Sequence, residues 1–309
     1  MKRLGEIWAL AGCTATGKTE WALRWARARG AEIVNCDALL FYRGMDIGTA
    51  KPSLEERRSV PHHLIDIREP GEPMDVARFA ALAEEAIRAI QIRGRRALAV
   101  GGSGFYLKAL FAPVADDVAV DDATREVVAR LERAEGLAGL RRELEALEPR
   151  CGELVDLANP RRVARALERR LASGRYLAAQ KAAFERRTSP LSEAPKRLTI
   201  LERSPEELAA RIERRVEAML EAGLVAETAA LRARGIERNP AASRAIGYRE
   251  CLAYLDGQLS EEALAPAIAA RTRQLARKQR SWFRSQLPPG RRVTLGDEGD
   301  EPALEDLFD

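Results

Sequence analysis

Near its start the chain reads Gly12-Cys13-Thr14-Ala15-Thr16-Gly17-Lys18-Thr19, a match to G-x-x-x-x-G-K-[ST]. Ordinary residue usage produces that pattern in roughly one chain in a hundred of this length, so its setting matters. Ile7 to Ala11 reads as a short buried strand and Lys18 to Arg29 as a helix, which puts the glycine-punctuated loop between strand and helix. This dictates an α/β opening. The glycines let successive backbone N–H groups turn toward one anion, and the helix N-terminus adds its positive end. Lys18 contributes a cation, and the Thr19 hydroxyl can join the coordination shell of Mg²⁺. The whole segment Gly12, Cys13, Thr14, Ala15, Thr16, Gly17, Lys18 and Thr19 is read as a diphosphate cradle. It says nothing about what the diphosphate is attached to, and ATP is only the default.

The strand–helix alternation continues. Ala31 to Asp37 reads as a second strand, His63 to Ile67 as a third, Asp75 to Arg93 as a helix, and Ala97 to Val100 as a fourth strand running into Gly101-Gly102. Such alternation predicts a parallel sheet. From residue 113 to 192 no convincing strand occurs, and the spacing predicts an all-helical insertion. Residues 123 to 190 hold 15 basic and 10 acidic residues, with Arg162, Arg165 and Arg169 three and four apart on one helical face. Strand character returns at Arg197 to Glu202, followed by Ser204-Pro205-Glu206-Glu207, a serine cap, a first-turn proline and a glutamate three after the cap. Helices are expected to 222, from 224 to 234, from 243 to 255 and from 260 to 284. The expected fold is a P-loop NTPase-like parallel-sheet core (1–112 and 193–296, the second part helical with one or two strands) with an inserted helical domain (113–192) and a helical C-terminal region. Residues 297–309 read as a disordered acidic tail.

Lysine and arginine total 51 against 47 acids, but seven of the acids lie in the final 13 residues, leaving 40 before residue 297 and a net +11 there. A body that basic suits a polyanionic partner as well as it suits solvated arginine-rich helices. From Ala263 to Arg284 six basic residues occur with no acid, ending in Trp282-Phe283. Cys13, Cys36, Cys151 and Cys251 make no C-x-x-C pair, and His62 and His63 have no partner at ligand spacing, so neither a zinc module nor a disulfide framework is indicated. No leader-like or membrane-spanning run occurs, and a cytoplasmic setting is expected.

Asp37 follows the second strand and should emerge at the carboxyl edge of the sheet, close to the phosphate loop, where a general base would stand. A hydrolysing NTPase usually carries a metal-holding acid at the end of another apolar strand. Here Leu98 to Val100 ends in glycines instead.

The stretch from Asp37 to Pro52, above all Gly44-Met45-Asp46-Ile47-Gly48-Thr49-Ala50-Lys51-Pro52, resembles the signature of the tRNA dimethylallyltransferases, also called tRNA isopentenyltransferases. Further matches follow in family order: Pro61-His62-His63, Gly101-Gly102-Ser103-Gly104-Phe105-Tyr106, Asn159-Pro160-Arg161-Arg162, Ile246-Gly247-Tyr248 and Thr272 to Gln279. They span about residues 5 to 285.

The resemblance implies transfer of a dimethylallyl group from dimethylallyl diphosphate to N6 of the adenosine 3′-adjacent to a tRNA anticodon. The phosphate loop would then grip a leaving diphosphate, with Mg²⁺ as cofactor. Asp37 would be the general base, Lys18, Thr19 and Arg215 would stabilise the departing charge, and Arg211 would sit in the same neighbourhood. The family pattern implies tRNA contacts from Asp37, Ala38, Leu39 and Leu40, from Ser103 and Arg125, from Arg161, Arg162, Val163, Ala164 and Arg165, and from Arg244, Gly247, Tyr248 and Arg249. The target base would be flipped out of the anticodon loop.

The chain departs from the pattern at Ala38 (usually serine), Leu40 (often glutamine) and Cys13 (commonly proline), and Ser103 replaces threonine with its hydroxyl kept. A monomer is expected, binding the anticodon stem-loop and no membrane. The competing readings are an adenylate (AMP or ADP) isopentenyltransferase, a P-loop small-molecule kinase, and a non-catalytic RNA-binding ATPase.

Overall fold

The computed structural model describes residues 3–114, 118–296 and 303–308. It comprises two compact units, Met1–Val114 with Ser189–Asp309, and Ala115–Thr188. In the first unit the strands β1 (Ile7–Gly12), β2 (Ala31–Asn35), β3 (His62–His63), β4 (Arg96–Gly101), β5 (Lys196–Glu202) and β6 (Arg291–Thr294) form one sheet in the order β3-β2-β4-β1-β5-β6. Every pairing is parallel.

The two central strands are apolar on both faces because helices cover both sides. Alternation along β1 and β4 sends Ile7, Ala9, Ala11, Ala97 and Ala99 into one apolar layer and Leu10 and Leu98 into the other. The alanines leave room on the first face for the helices Val76–Ile92 and Gly104–Phe111, which bury Phe79, Ile87, Leu107 and Leu110 there. The second face is covered by the helix Lys18–Arg29, whose Trp21 and Trp25 are buried in packing, as their spacing suggests. The anticipated N-cap is present: the Ser204 side chain accepts from the Glu207 N–H, and Pro205 opens the helix Pro205–Glu221.

Strand order places the carboxyl ends of β2, β4 and β1 side by side. That edge carries Asp37, Gly102-Ser103 and the phosphate loop, the usual ligand side of an open α/β sheet. The approach of β2 to β4 is close enough that a Cβ at Gly101 would lie 2.4 Å from the Cys36 carbonyl oxygen, so no side chain fits there.

Several expectations need correction, among them the helix expected over 243–255, which begins only at Tyr248 after Gly247 turns with a φ of 92°. The third strand is reduced to His62–His63 because Leu64 and Asp66 take positive φ angles of 63° and 56°, which end extended structure. The second strand allowed for in 193–296 is β6, which the sequence did not locate, since only Val293 of its four residues is buried and no alternation announces it. The last residues were expected to be disordered. Instead Leu304–Leu307 form a 3₁₀ turn with Leu307 and Phe308 buried, and Phe308 meets Trp25 edge-on at 4.9 Å. Residues 297–302 and 309 lie outside the described residues.

The second unit has its own core. Helices Asp122–Leu147, Pro160–Ser173 and Leu177–Glu185 bury Val128, Leu140, Leu144, Cys151, Val163, Leu167 and Leu177. Gly136, with φ 61° and ψ −152°, kinks the first helix. Asn159 caps the second by accepting from the N–H groups of Arg161 and Arg162.

Candidate active site

At the end of β1 the chain turns through Ala15 (φ 64°) and Gly17 (φ 96°) before the helix begins at Lys18. Inside the loop the Thr16 hydroxyl and the Lys18 ammonium both donate to the Cys13 carbonyl, at 2.8 and 3.0 Å. From outside, Arg211 Nε donates to the Ala15 carbonyl at 2.9 Å and Arg203 Nε to the Thr16 carbonyl at 3.0 Å. Guanidinium groups thus occupy carbonyl oxygens behind the loop, which favours a cradle whose free polar groups are donors.

Asp37 is held from three directions. Its backbone N–H donates to Asn35 Oδ1 at 2.7 Å, while its Oδ1 accepts from the Gly102 N–H at 2.6 Å and the Ser103 hydroxyl at 3.3 Å. The Ser103 hydroxyl oxygen also accepts from the Ala38 N–H at 3.0 Å. Asp37 Oδ2 makes no protein hydrogen bond among the described residues and can take a proton from a ligand.

A cavity of about 640 Å³ opens over this edge. Thr14, Lys18, Thr19, Asp37, Ala38, Leu39, Leu40, Ser103, Arg215, Arg244 and Gly247 line it, so eleven residues singled out from the sequence converge on one space. Its charged floor meets an apolar wall that includes Phe105, Met219, Ile268 and Trp282. Burial lowers the pKa of both Lys18 and Arg215, and for each the Asp37 carboxylate is the main opposing influence. Arg215 also donates to the Thr49 carbonyl at 3.4 Å. Two desolvated cations and one anchored carboxylate therefore face a partly apolar space, a setting in which electrostatic interactions are strong.

Comparisons with known proteins show the family of the chain. A family model described as IPP transferase matches residues 40–286, and one described as isopentenyl transferase matches residues 5–70. A tRNA dimethylallyltransferase of Opitutus terrae is 57% identical over 284 residues, 92% of this chain and 91% of its own length. One from an Exiguobacterium species is 39% identical over 301 residues, covering 97% and 94%. The chain belongs to the IPP transferase family. By that membership it is an enzyme, a prenyltransferase. The crystal structure of the full-length tRNA isopentenylpyrophosphate transferase of Bacillus halodurans matches it with a TM-score of 0.67 at 33% identity, covering 94% of this chain and 89% of that one. A eukaryotic dimethylallyltransferase described as acting on tRNA shares the fold, with a TM-score of 0.76 at 24% identity.

Not every anticipated IPP transferase site residue reaches the surface. Tyr248 is fully buried, donates its hydroxyl to Glu227 at 2.7 Å and packs against Gly48, where a Cβ would lie 2.6 Å from the ring. It cannot stack on a base. Val163 is buried in the second unit's core and is a packing residue. Cys13, Ala15 and Thr16 are buried, so their contribution to the cradle is backbone. Arg249 pairs with the buried Glu250, which Arg271 also meets.

In the second unit Arg125 pairs with Asp122. There Arg161, Arg162, Arg165 and Arg169 border one depression with Asp156 and Asn159, while Ala164 is half-buried.

Sequence reasoning passed over Gln279. Its Oε1 accepts from the Thr14 N–H at 2.9 Å and its Nε2 donates to the Gly102 carbonyl at 2.8 Å, bridging the phosphate loop to the segment that holds Asp37. Arg203 was missed as well. The run Thr272 to Gln279 in the family match was the one available signal for Gln279; Arg203 had none. No helix among the described residues is long and apolar enough to cross a membrane.

Proposed function

We propose that this chain transfers a dimethylallyl group from dimethylallyl diphosphate to N6 of the adenosine 3′-adjacent to the anticodon in tRNA. The observation that carries the reading is the convergence of Asp37 with Lys18 and Arg215 on one partly apolar cavity. The bond between the allylic carbon and the diphosphate oxygen breaks, the N6–C bond forms, and the N6 proton passes to Asp37 Oδ2. Negative charge grows on the leaving diphosphate, so donors already aimed at it stabilise the transition state more than the bound substrate. Lys18, Arg215 and the amides of the phosphate loop supply those donors, and the apolar wall suits a five-carbon tail.

Among the described residues no three His, Cys, Asp or Glu side chains gather as a metal site. The Thr19 hydroxyl, which lines the cavity, would be the protein ligand of an Mg²⁺ carried largely by diphosphate oxygens and water, because Mg²⁺ keeps much of its water shell. When bound, the ion would neutralise diphosphate charge.

The basic depression on the second unit and the tRNA-modifying relatives favour tRNA over free AMP as acceptor. Purified protein with Mg²⁺ and radiolabelled dimethylallyl diphosphate should label tRNA and neither AMP nor ATP. Label on AMP, or phosphoryl transfer from ATP to a small molecule, would overturn the assignment.

A further inference from the structure

The signature loop lies on the cavity through Gly48, Thr49 and Ala50, yet it is anchored at both ends by side chains outside the reaction site. At one end the Lys51 ammonium is tied to the Tyr42 carbonyl at 2.8 Å and to the carboxylates of Asp46 and Asp66 at 2.5 and 2.6 Å. At the other, Glu227 in the first turn of the helix Leu224–Ala233 receives three consecutive backbone N–H groups. Asp46 and Ile47 donate to its Oε2 at 3.0 and 2.8 Å, and Gly48 donates to its Oε1 at 3.2 Å. The buried Tyr248 hydroxyl donates to the same Oε1. Burial and the neighbouring Glu227 carboxylate both raise the Tyr248 pKa, so the phenol stays a donor. Charge-assisted bonds of this kind are about twice as strong as neutral ones. One residue beyond this anchored turn, the Thr49 carbonyl accepts from Arg215.

We propose that Glu227 is a positioning residue for the transfer reaction: it fixes the backbone of residues 46–48 so that the Thr49 carbonyl holds the Arg215 guanidinium at the cavity. This deepens the proposed function and rests on Arg215 meeting the diphosphate. Glu227→Gln is the informative change. It keeps the size of the side chain but turns an amide NH₂ toward donors that all need an acceptor.

The test is a double-mutant cycle. Parent, Glu227→Gln, Arg215→Ala and the double variant are compared for kcat, KM for dimethylallyl diphosphate and KM for tRNA, with melting temperature recorded for each. Glu227→Gln should lower kcat by about 10- to 100-fold, the scale of a small misplacement of a catalytic group, with KM for tRNA unchanged. In the Arg215→Ala background it should lower kcat by no more than about 2-fold, because coupled residues are non-additive. Should Glu227→Gln melt too low to assay, Tyr248→Phe removes only the hydroxyl support of Oε1 and should give a smaller fall in kcat with the same non-additivity. If the Arg215→Ala and Glu227→Gln losses multiply, Glu227 acts independently of Arg215 and the inference fails while the proposed function stands. If Arg215→Ala leaves kcat at the parent value, the inference fails together with the role given to Arg215, while transfer to tRNA stands on its own labelling test.

Discussion

Gln279 offers the sharpest test of how this site is held, because one amide spans two segments that the chain brings together from residues 14 and 102. Replacing it by alanine removes its bonds to the Thr14 N–H and the Gly102 carbonyl, at 2.9 and 2.8 Å. At a net of roughly 0.5–1.5 kcal/mol per bond the loss is about 1–3 kcal/mol, and Thr14 borders the cavity, so water can replace part of it. A change of that size lowers the melting temperature of a domain this large by only several degrees. The catalytic effect should be larger. Gly102 also donates its N–H to Asp37 Oδ1 at 2.6 Å, so slack at Gly102 reaches both the carboxylate and the cradle. A misplacement near 1 Å is worth roughly 10²-fold in rate, and kcat for tRNA prenylation should fall on that scale in steady-state assays. Gln279→Glu separates the two effects. It can still accept from Thr14 but sets a negative charge beside the diphosphate, so KM for the donor should rise. If Gln279→Ala leaves kcat within about 3-fold of the parent, the bridge is not what aligns the two halves of the site, given the misplacement scale above.

Asp37→Asn should lower kcat by about 10²–10⁴-fold, the usual contribution of a general base, while tRNA affinity measured by filter binding stays near the parent's. A tRNA affinity that collapsed with kcat would instead mark Asp37 as a binding residue. Chelation with EDTA should abolish transfer, and added Mg²⁺ should restore it. The melting temperature of the free protein should not change with EDTA, but dimethylallyl diphosphate should raise it only when Mg²⁺ is present. Lys196 gives a pH signature unrelated to the site. Burial pushes its pKa down to about 8, while its ammonium donates to the Ser192 and Ala194 carbonyls. Between that value and the ordinary lysine value the unfolded chain binds more protons, so the penalty for charging Lys196 is fully present below pH 8 and relieved as pH rises. Melting temperature against pH should show a rising contribution from pH 8 toward 10.5 that Lys196→Met removes.

Much of the molecule was legible because its signals are local. Gly12 to Thr19 encodes a loop in adjacent residues, Ser204 and Pro205 mark a helix start within one turn, and the apolar runs of β1, β2, β4 and β5 outlast their neighbours. Signals failed where burial is partial or the conformation unusual: β6 has a single buried residue, and β3 is cut short by left-handed residues. The resemblance brought Tyr248 and Val163 forward as RNA contacts, but a motif records which residue stands at a position and not which way its side chain turns. Both side chains point into cores.

The order of residues alone determined the phosphate-loop geometry between the first strand and helix, since its amides, its lysine and its helix start are covalent neighbours that need no distant partner to be aligned. It also determined that Asp37 would leave a strand on the ligand side of a parallel sheet. Only the tertiary structure decided what holds these groups in place: Gln279 across 265 residues, Arg203 and Arg211 behind the loop, and Glu227 beneath the signature turn. Each is a polar side chain of a common type, and no periodicity around it tells which backbone group it will bond. Its role comes from an unpaired backbone group on a remote segment, and such a group exists only once the fold has closed around it.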